Sequence, residues 1–228
     1  STSARQIERL ADGGYVVTTP AGDRIDADAL ILATPAYVSA DLLRSLDPQL
    51  AALLDLIPYV STATITLGYR TADFNQQSAG RGFVIPRVEN RELTAVTWAT
   101  NKFTGRAPAD TALVRAFVGR AGREAVVDLP DDELLSLVRR ELREILGLEA
   151  EPVVTRIYRW KCALPQYNLG HLDLLQQIDD RIVRLTGLQL CGSAYRGVGI
   201  PDCIQSGITT AERTLAVLKR EEEPIKRS

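Results

Sequence analysis

Leu188-Gln189-Leu190-Cys191-Gly192-Ser193-Ala194-Tyr195-Arg196-Gly197-Val198-Gly199-Ile200-Pro201 runs from a short apolar stretch through a loop with three glycines to a proline. The apolar stretch has the length of a strand. After Pro201, residues Cys203, Ile204, Ile208, Ala211, Leu215 and Leu218 recur at helical spacing, so the segment predicts strand, loop and helix, with those six on the helix's buried side. Gly192, Gly197 and Gly199 allow the backbone to approach a ligand with no Cβ in the way, although three glycines also suit tight turns alone. The spacing is neither GxGxxG nor GxxxxGK[ST].

Far upstream, Ala29-Leu30-Ile31-Leu32-Ala33 is a second continuous apolar run, typical of a strand buried on both faces, and Thr34-Pro35 follows as a helix cap with proline at the first helical position. Leu30–Ala33 and Leu188–Cys191 are expected to be neighbouring strands. Before them, Asp12-Gly13-Gly14 and Pro20-Ala21-Gly22-Asp23 divide residues 4–26 into hairpin-linked strands. Asp47-Pro48 opens a further helix carrying Leu50, Leu53, Leu54 and Ile57.

From Val60 the period falls to two, and strand-like runs recur at Phe83–Ile85, Leu93–Ala99 and Leu113–Val118, which favours an antiparallel sheet. Asp131, Asp132 and Glu133 start a helix with Leu134, Leu135, Val138, Leu142, Ile145 and Leu146 on one face, which should cover that sheet. A strand from Val153 to Trp160 and a helix with Leu172, Leu175, Ile178, Ile182 and Leu185 lead back to the glycine loop. The fold class is therefore mixed, with α/β ends around a central α+β block. The joins fall near Thr34–Pro35 and Pro152, giving residues 1–35, 36–152 and 153–228.

Lys and Arg number 27 and Asp and Glu 29, and no like-charge block is longer than Glu221-Glu222-Glu223, so no nucleic acid partner is expected. The longest uncharged stretch, Leu56 to Tyr69, is far short of the roughly 20 residues of a membrane helix. Cys162, Cys191 and Cys203 form no CxxC; they read as small buried hydrophobes in a reducing compartment, and the expected location is the cytoplasm, with peripheral membrane contact left open. The single histidine, His171, gives no metal site and is assigned no role. No methionine occurs anywhere, and Ser1-Thr2-Ser3 begins the chain, so the sequence reads as a piece of a longer protein.

A helix that starts at Pro201 turns N–H groups and its positive dipole end toward the glycine loop, which suits a pyrophosphate or an electron-rich flavin ring. Leu190 to Ile204 resembles the C-terminal flavin-binding signature of the protoporphyrinogen oxidases, especially the bacterial oxygen-dependent type described as coproporphyrinogen III oxidase. Gly82-Phe83-Val84-Ile85, Ala95-Val96-Thr97-Trp98, Arg115-Ala116-Phe117-Val118-Gly119, and Arg159-Trp160 with Leu164-Pro165-Gln166-Tyr167 resemble the same family in the same order.

The resemblance implies FAD as cofactor. Val198, Gly199 and Ile200, with Gly197, would lie against the flavin, Gly192 near the ribityl-pyrophosphate, and Trp160 beside the isoalloxazine. Thr34 and Pro35 match a strand-end motif near the cofactor, and Ala4 a position that touches adenine. The implied reaction oxidises a porphyrinogen to a porphyrin in heme biosynthesis by successive two-electron steps, with oxygen returning as hydrogen peroxide. No acid/base catalytic residue is assigned. Phe83, Trp98, Phe103 and Phe117, with Arg81 and nearby Arg87 and Lys102, are the candidates for a broad substrate pocket. The implied fold is an antiparallel-sheet substrate domain inserted into the C-terminal part of a discontinuous FAD-binding domain.

GxGxxG, with which the family's FAD domain begins, occurs nowhere in the 228 residues. The chain is therefore expected to be the C-terminal half of such an oxidase, inactive alone, with the N-terminal half or a second copy covering an apolar face. Two other readings stay open: another flavin amine oxidase or desaturase, and a non-catalytic module that binds a tetrapyrrole or a protein.

Overall fold

A computed structural model describes residues 2–11, 13–74 and 80–222. Two compact units divide the chain: Ser1–Pro58 with Pro165–Ser228, and Tyr59–Leu164. The first segment holds β1 (Gln6–Arg9), β2 (Tyr15–Thr18), β3 (Arg24–Ala27), β4 (Leu30–Leu32), α1 (Ala36–Leu43) and α2 (Pro48–Asp55). Next come β5 (Tyr59–Arg70), β6 (Gly82–Val84), β7 (Leu93–Trp98), α3 (Ala99–Lys102), β8 (Thr111–Val118), α4 (Asp131–Leu146) and β9 (Val154–Pro165). The chain ends with α5 (His171–Ile182), β10 (Leu188–Leu190) and α6 (Ile200–Glu222).

In the first unit, β1, β2 and β3 form an antiparallel meander, as the two turn clusters require. The wholly buried Tyr15 anchors it by donating its hydroxyl to the Thr186 carbonyl at 2.7 Å. The two apolar runs pair in parallel, Leu188 with Leu30 and Leu190 with Leu32, and Cys191 N–H extends the ladder to Leu32 O at 3.0 Å. Asp47 caps α2 by accepting from Gln49 and Leu50 N–H, as expected of Asp before Pro. The start of α1 differs. Pro35, whose ring has no hydrogen-bonding group, stands at the cap position, and Thr34 one residue earlier pairs its hydroxyl with the buried Ser39 hydroxyl at 2.8 Å.

The orientation of α6 corrects the sequence reading. Thr210 and Thr214 are the buried residues among those described on this helix, whereas Ile204, Ile208 and Leu215 are 58%, 49% and 55% exposed. The threonine face lies against β4 and β10, and Thr214 satisfies its own hydroxyl by donating to Thr210 O at 2.9 Å, so it can be buried without cost to the small interface. Cys162 is likewise exposed rather than buried; Cys191 is buried and Cys203 partly so.

The second unit is a five-stranded sheet in the order β6-β7-β8-β5-β9. Its core face carries Ala63, Ile65, Leu67, Tyr69, Val96, Trp98, Val114, Ala116 and Val118 against Leu134, Val138 and Leu142 of α4, so α4 covers the sheet as its apolar face predicts. β9 runs on past Trp160 to Pro165, and Cys162 within it takes a left-handed φ of 46°. Glu141 of α4 is buried and accepts from the N–H groups of Glu92 (3.0 Å) and Leu93 (3.1 Å) at the start of β7. Glu141→Gln, which keeps the shape and removes the charge, is expected to cost about 1–2 kcal/mol in urea unfolding. No loss would mean that this carboxylate does not hold β7 to α4.

Candidate functional site

In the first unit the loop between β10 and α6 leaves the carboxyl end of a parallel strand pair, where open α/β sheets place ligands. Thr34 and Pro35 leave the end of β4 beside it, so those two residues and Gly192 share one sheet end. Gly192 takes φ +117°, its N–H reaches Ser206 Oγ at 3.2 Å, and a Cβ built on it would meet nothing nearer than Ala33 O at 4.0 Å. Its open side is therefore a cradle that any side chain would fill.

Gly197 is constrained in another way. At φ +146° its Cβ would stand 2.4 Å from Asp202 Cβ. Gly199 has no left-handed φ, so the strain expected of a substitution belongs to Gly197. Asp202 Oδ2 accepts from Gly199 N–H at 3.2 Å, and the first helical bond runs from Cys203 N–H to Gly199 O at 3.0 Å. The loop end of α6 thus already holds a carboxylate, and a phosphate there would meet a like charge. Val198 and Ile200 instead point apolar groups outward, 57% and 79% exposed. This end fits the apolar edge of a ring, and the open Gly192 fits a close backbone approach, so the residues present suit a flavin. Ala4 is exposed and precedes β1, on the meander and not on the β4/β10 pair.

In the second unit the face of the sheet opposite α4 carries a cavity of about 420 Å³ lined by Thr66, Thr97, Ala99, Lys102, Phe103, Arg106, Leu113, Arg115 and Phe117. The register builds it: Thr66 faces Arg115 across β5 and β8, and Thr97 faces Arg115 across β7 and β8. Arg115 donates to Thr66 Oγ1 at 3.4 Å. Lys102 Nζ and Arg106 lie 5.4 and 5.0 Å from the centre of the Phe103 ring, so two cations flank one aromatic face.

Phe103, Phe117 and Lys102 therefore meet as expected, whereas Phe83 and Trp98 do not join them. Both pack on the core side, rings 5.4 Å apart, because the strand alternation sends them to the face that α4 covers. Arg81 and Arg87 are exposed and outside the cavity lining, and the Arg81 carbonyl accepts from Trp98 N–H. The rings of Trp160 and Tyr158 pack tilted against each other, centroids 4.7 Å apart and planes 39° apart, and both are exposed. Val154 lies beside Gly68 and Leu113 on the cavity's side of the sheet, and alternation along β9 carries Tyr158 and Trp160 to that same side. Arg106 and Arg115 were missed; the alternation of Leu113, Arg115 and Phe117 opposite Val114 and Ala116 was the signal for Arg115.

Among the described residues no group of His, Cys, Asp or Glu could hold a metal, and no helix is long and apolar enough to cross a membrane. Against known proteins, residues 1–215 match the profile of the flavin containing amine oxidoreductases. Coproporphyrinogen III oxidase of Bacillus subtilis (strain 168) is 32% identical over 216 residues, which are 93% of this chain and 46% of that protein. The coproporphyrinogen III oxidase of Propionibacterium freudenreichii is 35% identical over 195 residues, 85% of this chain and 36% of that protein. A crystal structure from Exiguobacterium sp. 255-15, of a protein named as a protoporphyrinogen oxidase, superposes with a TM-score of 0.79 at 33% identity, covering 97% of this chain and 47% of that one. Putrescine oxidase, at 18% identity and a TM-score of 0.73, shares the fold. The chain spans less than half the length of each of the named oxidases. A parallel-strand end with an open glycine, an antiparallel sheet bearing a cationic aromatic cavity, and a profile match over nearly the whole length agree: this chain belongs to the flavin-containing amine oxidoreductase family.

Proposed function

We propose that the complete protein bearing this chain is a flavin-dependent oxidase that converts a porphyrinogen to a porphyrin in heme biosynthesis, with oxygen as the final acceptor. The observation that carries the reading is the cavity of the second unit, in which Lys102, Arg106 and Arg115 converge with Phe103 and Phe117 and, among the described residues, no carboxylate lines the wall. A porphyrinogen is a broad apolar disc with carboxylates on its rim. Phenylalanine faces suit the disc, and fixed cations suit the rim. The names of the relatives, coproporphyrinogen III oxidase, support the same substrate class.

In this reading residues 59–164 are the substrate domain, inserted into a flavin domain built from the flanking segments. Gly192, Thr34 and Pro35 hold the flavin's ribityl side, Ala4 its adenine end, and Val198, Gly199 and Ile200 keep water from the ring. Within the second unit, Trp160, packed against Tyr158, adds a flat apolar surface on the cavity's side of the sheet. Bound flavin supplies the acceptance of two electrons at a time from a saturated meso carbon, which oxygen carries off as hydrogen peroxide. The chain's own part is placement and exclusion, in keeping with the absence of any assigned proton-transfer residue. The 228 residues alone, lacking GxGxxG, are expected to hold flavin far more weakly than the complete protein.

The test is turnover of coproporphyrinogen and protoporphyrinogen by the complete protein, read by porphyrin fluorescence and peroxide release. Arg115→Leu is expected to raise KM about tenfold, the loss of one charge-assisted hydrogen bond, and to leave kcat within about twofold. A protein that oxidises amines and leaves both porphyrinogens untouched would overturn the reading.

A further inference from the structure

Tyr167, four residues before α5, and His171, its first residue, grip the glycine loop at alternate positions. The Tyr167 hydroxyl donates to the Ser193 carbonyl at 2.6 Å and accepts from Gly197 N–H at 2.8 Å. The Tyr167 ring stacks on His171, centroids 4.1 Å apart and planes within 12°. His171 is buried, and its Nε2 lies 3.0 Å from the Tyr195 carbonyl. A carbonyl only accepts, so Nε2 carries the proton. Ser193 O, Tyr195 O and Gly197 N–H are thus held by one pair of stacked rings.

We propose that Tyr167 and His171 are positioning residues for the cofactor: together they lock the 193–197 segment so that Gly197 keeps its left-handed turn and sends Val198-Gly199-Ile200 outward. The inference rests on the flavin reading of that loop. Its support is geometric. The turn at Gly197 needs an acceptor for its N–H, and Tyr167 is the group that supplies one. A free tyrosine would spend its hydroxyl on water; here burial pushes the phenol's pKa up, the Gly197 N–H pulls the other way, and nearby Cys203 and Asp202 add to the rise. The phenol therefore keeps the proton it donates to Ser193 O. α6 holds the rest of the loop through Ser206 on Gly192 and Asp202 on Gly199 and reaches the 193–197 segment only through the long contact of Cys203 Sγ with Gly197 O at 3.9 Å, so the short hydrogen bonds on that segment's backbone come from Tyr167 and His171.

Tyr167→Phe retains the ring stack and deletes both hydrogen bonds. In the complete protein loaded with flavin it is expected to raise amide hydrogen exchange of the 192–199 peptide about tenfold or more, to weaken flavin binding by a similar factor, and to alter the shape of the flavin's visible band. Exchange in α2 and α4 should not move. His171→Gln keeps an N–H donor and should restore near-normal flavin affinity, whereas His171→Leu should not. Unchanged loop exchange in Tyr167→Phe, or equal behaviour of His171→Gln and His171→Leu, would overturn the clamp. Failure of the unmodified protein to bind flavin would overturn the cofactor reading instead, while the exchange comparison would still decide whether the two rings set the loop.

Discussion

Gly197→Val in the complete protein is expected to abolish stoichiometric flavin while leaving the sheet of residues 59–164 folded. The new Cβ would begin 2.4 Å from Asp202 Cβ and 2.7 Å from Asp202 Oδ2, too close for any real contact, and a β-branched residue is strained at φ +146°. Relief requires the loop to rotate, which breaks the Gly197 N–H bond to Tyr167 and displaces the Asp202 carboxylate from Gly199. Strain of about 1–3 kcal/mol at such a position, added to two lost hydrogen bonds, corresponds to a loss of flavin affinity on the order of a hundredfold or more. Gly199→Val should do less, because the nearest atom there is the far end of the Asp202 side chain and no left-handed φ is involved. Equal flavin content in Gly197→Val and the unmodified protein, read by visible absorbance after desalting, would falsify this account of the loop.

Arg181→Met is expected to lower stability by about 3 kcal/mol, the cost of leaving a buried carboxylate without its cation. Arg181 meets Asp47 with two prongs, Nε to Oδ2 at 3.0 Å and Nη2 to Oδ1 at 2.7 Å, and the side chains are 23% and 7% exposed. Burial on its own would push the Asp47 carboxyl up; the Leu50 N–H, the Arg181 guanidinium and the Gln49 N–H outweigh it and hold the group below its ordinary value. A depressed carboxylate contributes stability above its unfolded pKa of about 3.9 and loses it as pH falls through the lower folded value. Arg181→Met should therefore be weakest against urea near neutral pH and approach the unmodified protein in strong acid, where Asp47 is protonated in both. A constant difference across that range would mean that lost packing, and not the ion pair, carries the effect.

Much of the frame was legible because local chemistry decided it. Asp47 before Pro48 names a helix start with its own acceptor, the acids of Asp131 to Glu133 open α4, and two uncharged runs of strand length pair in parallel. What stayed hidden depends on which neighbour a face meets. Ile204, Ile208 and Leu215 look like the inside of α6 by hydrophobicity, but Thr210 and Thr214 take that place. Trp98 and Phe83 invite a substrate role by type, yet period-two alternation had already sent them to the side of Val96 and Val114. Arg115, quoted only as part of a family-like run, stands opposite Thr66 only once β5 and β8 are in register. Tyr167 and His171 could not be read as a pair from sequence, since the loop that they hold lies more than 20 residues further along.

The tie between Tyr15 and Thr186, 171 residues apart, also sets a timetable for the chain's synthesis. At about 5–20 residues per second, the meander and β4 emerge on the order of 10–30 s before β10 exists to close over them. Residues 59–164 have all their strands in one continuous stretch and can fold on the ribosome during that interval. Leu30 to Leu32 must wait without β10 while they do, so nascent chains stalled shortly before Leu188 should be held by chaperones longer than those stalled after it, and release should follow translation of β10.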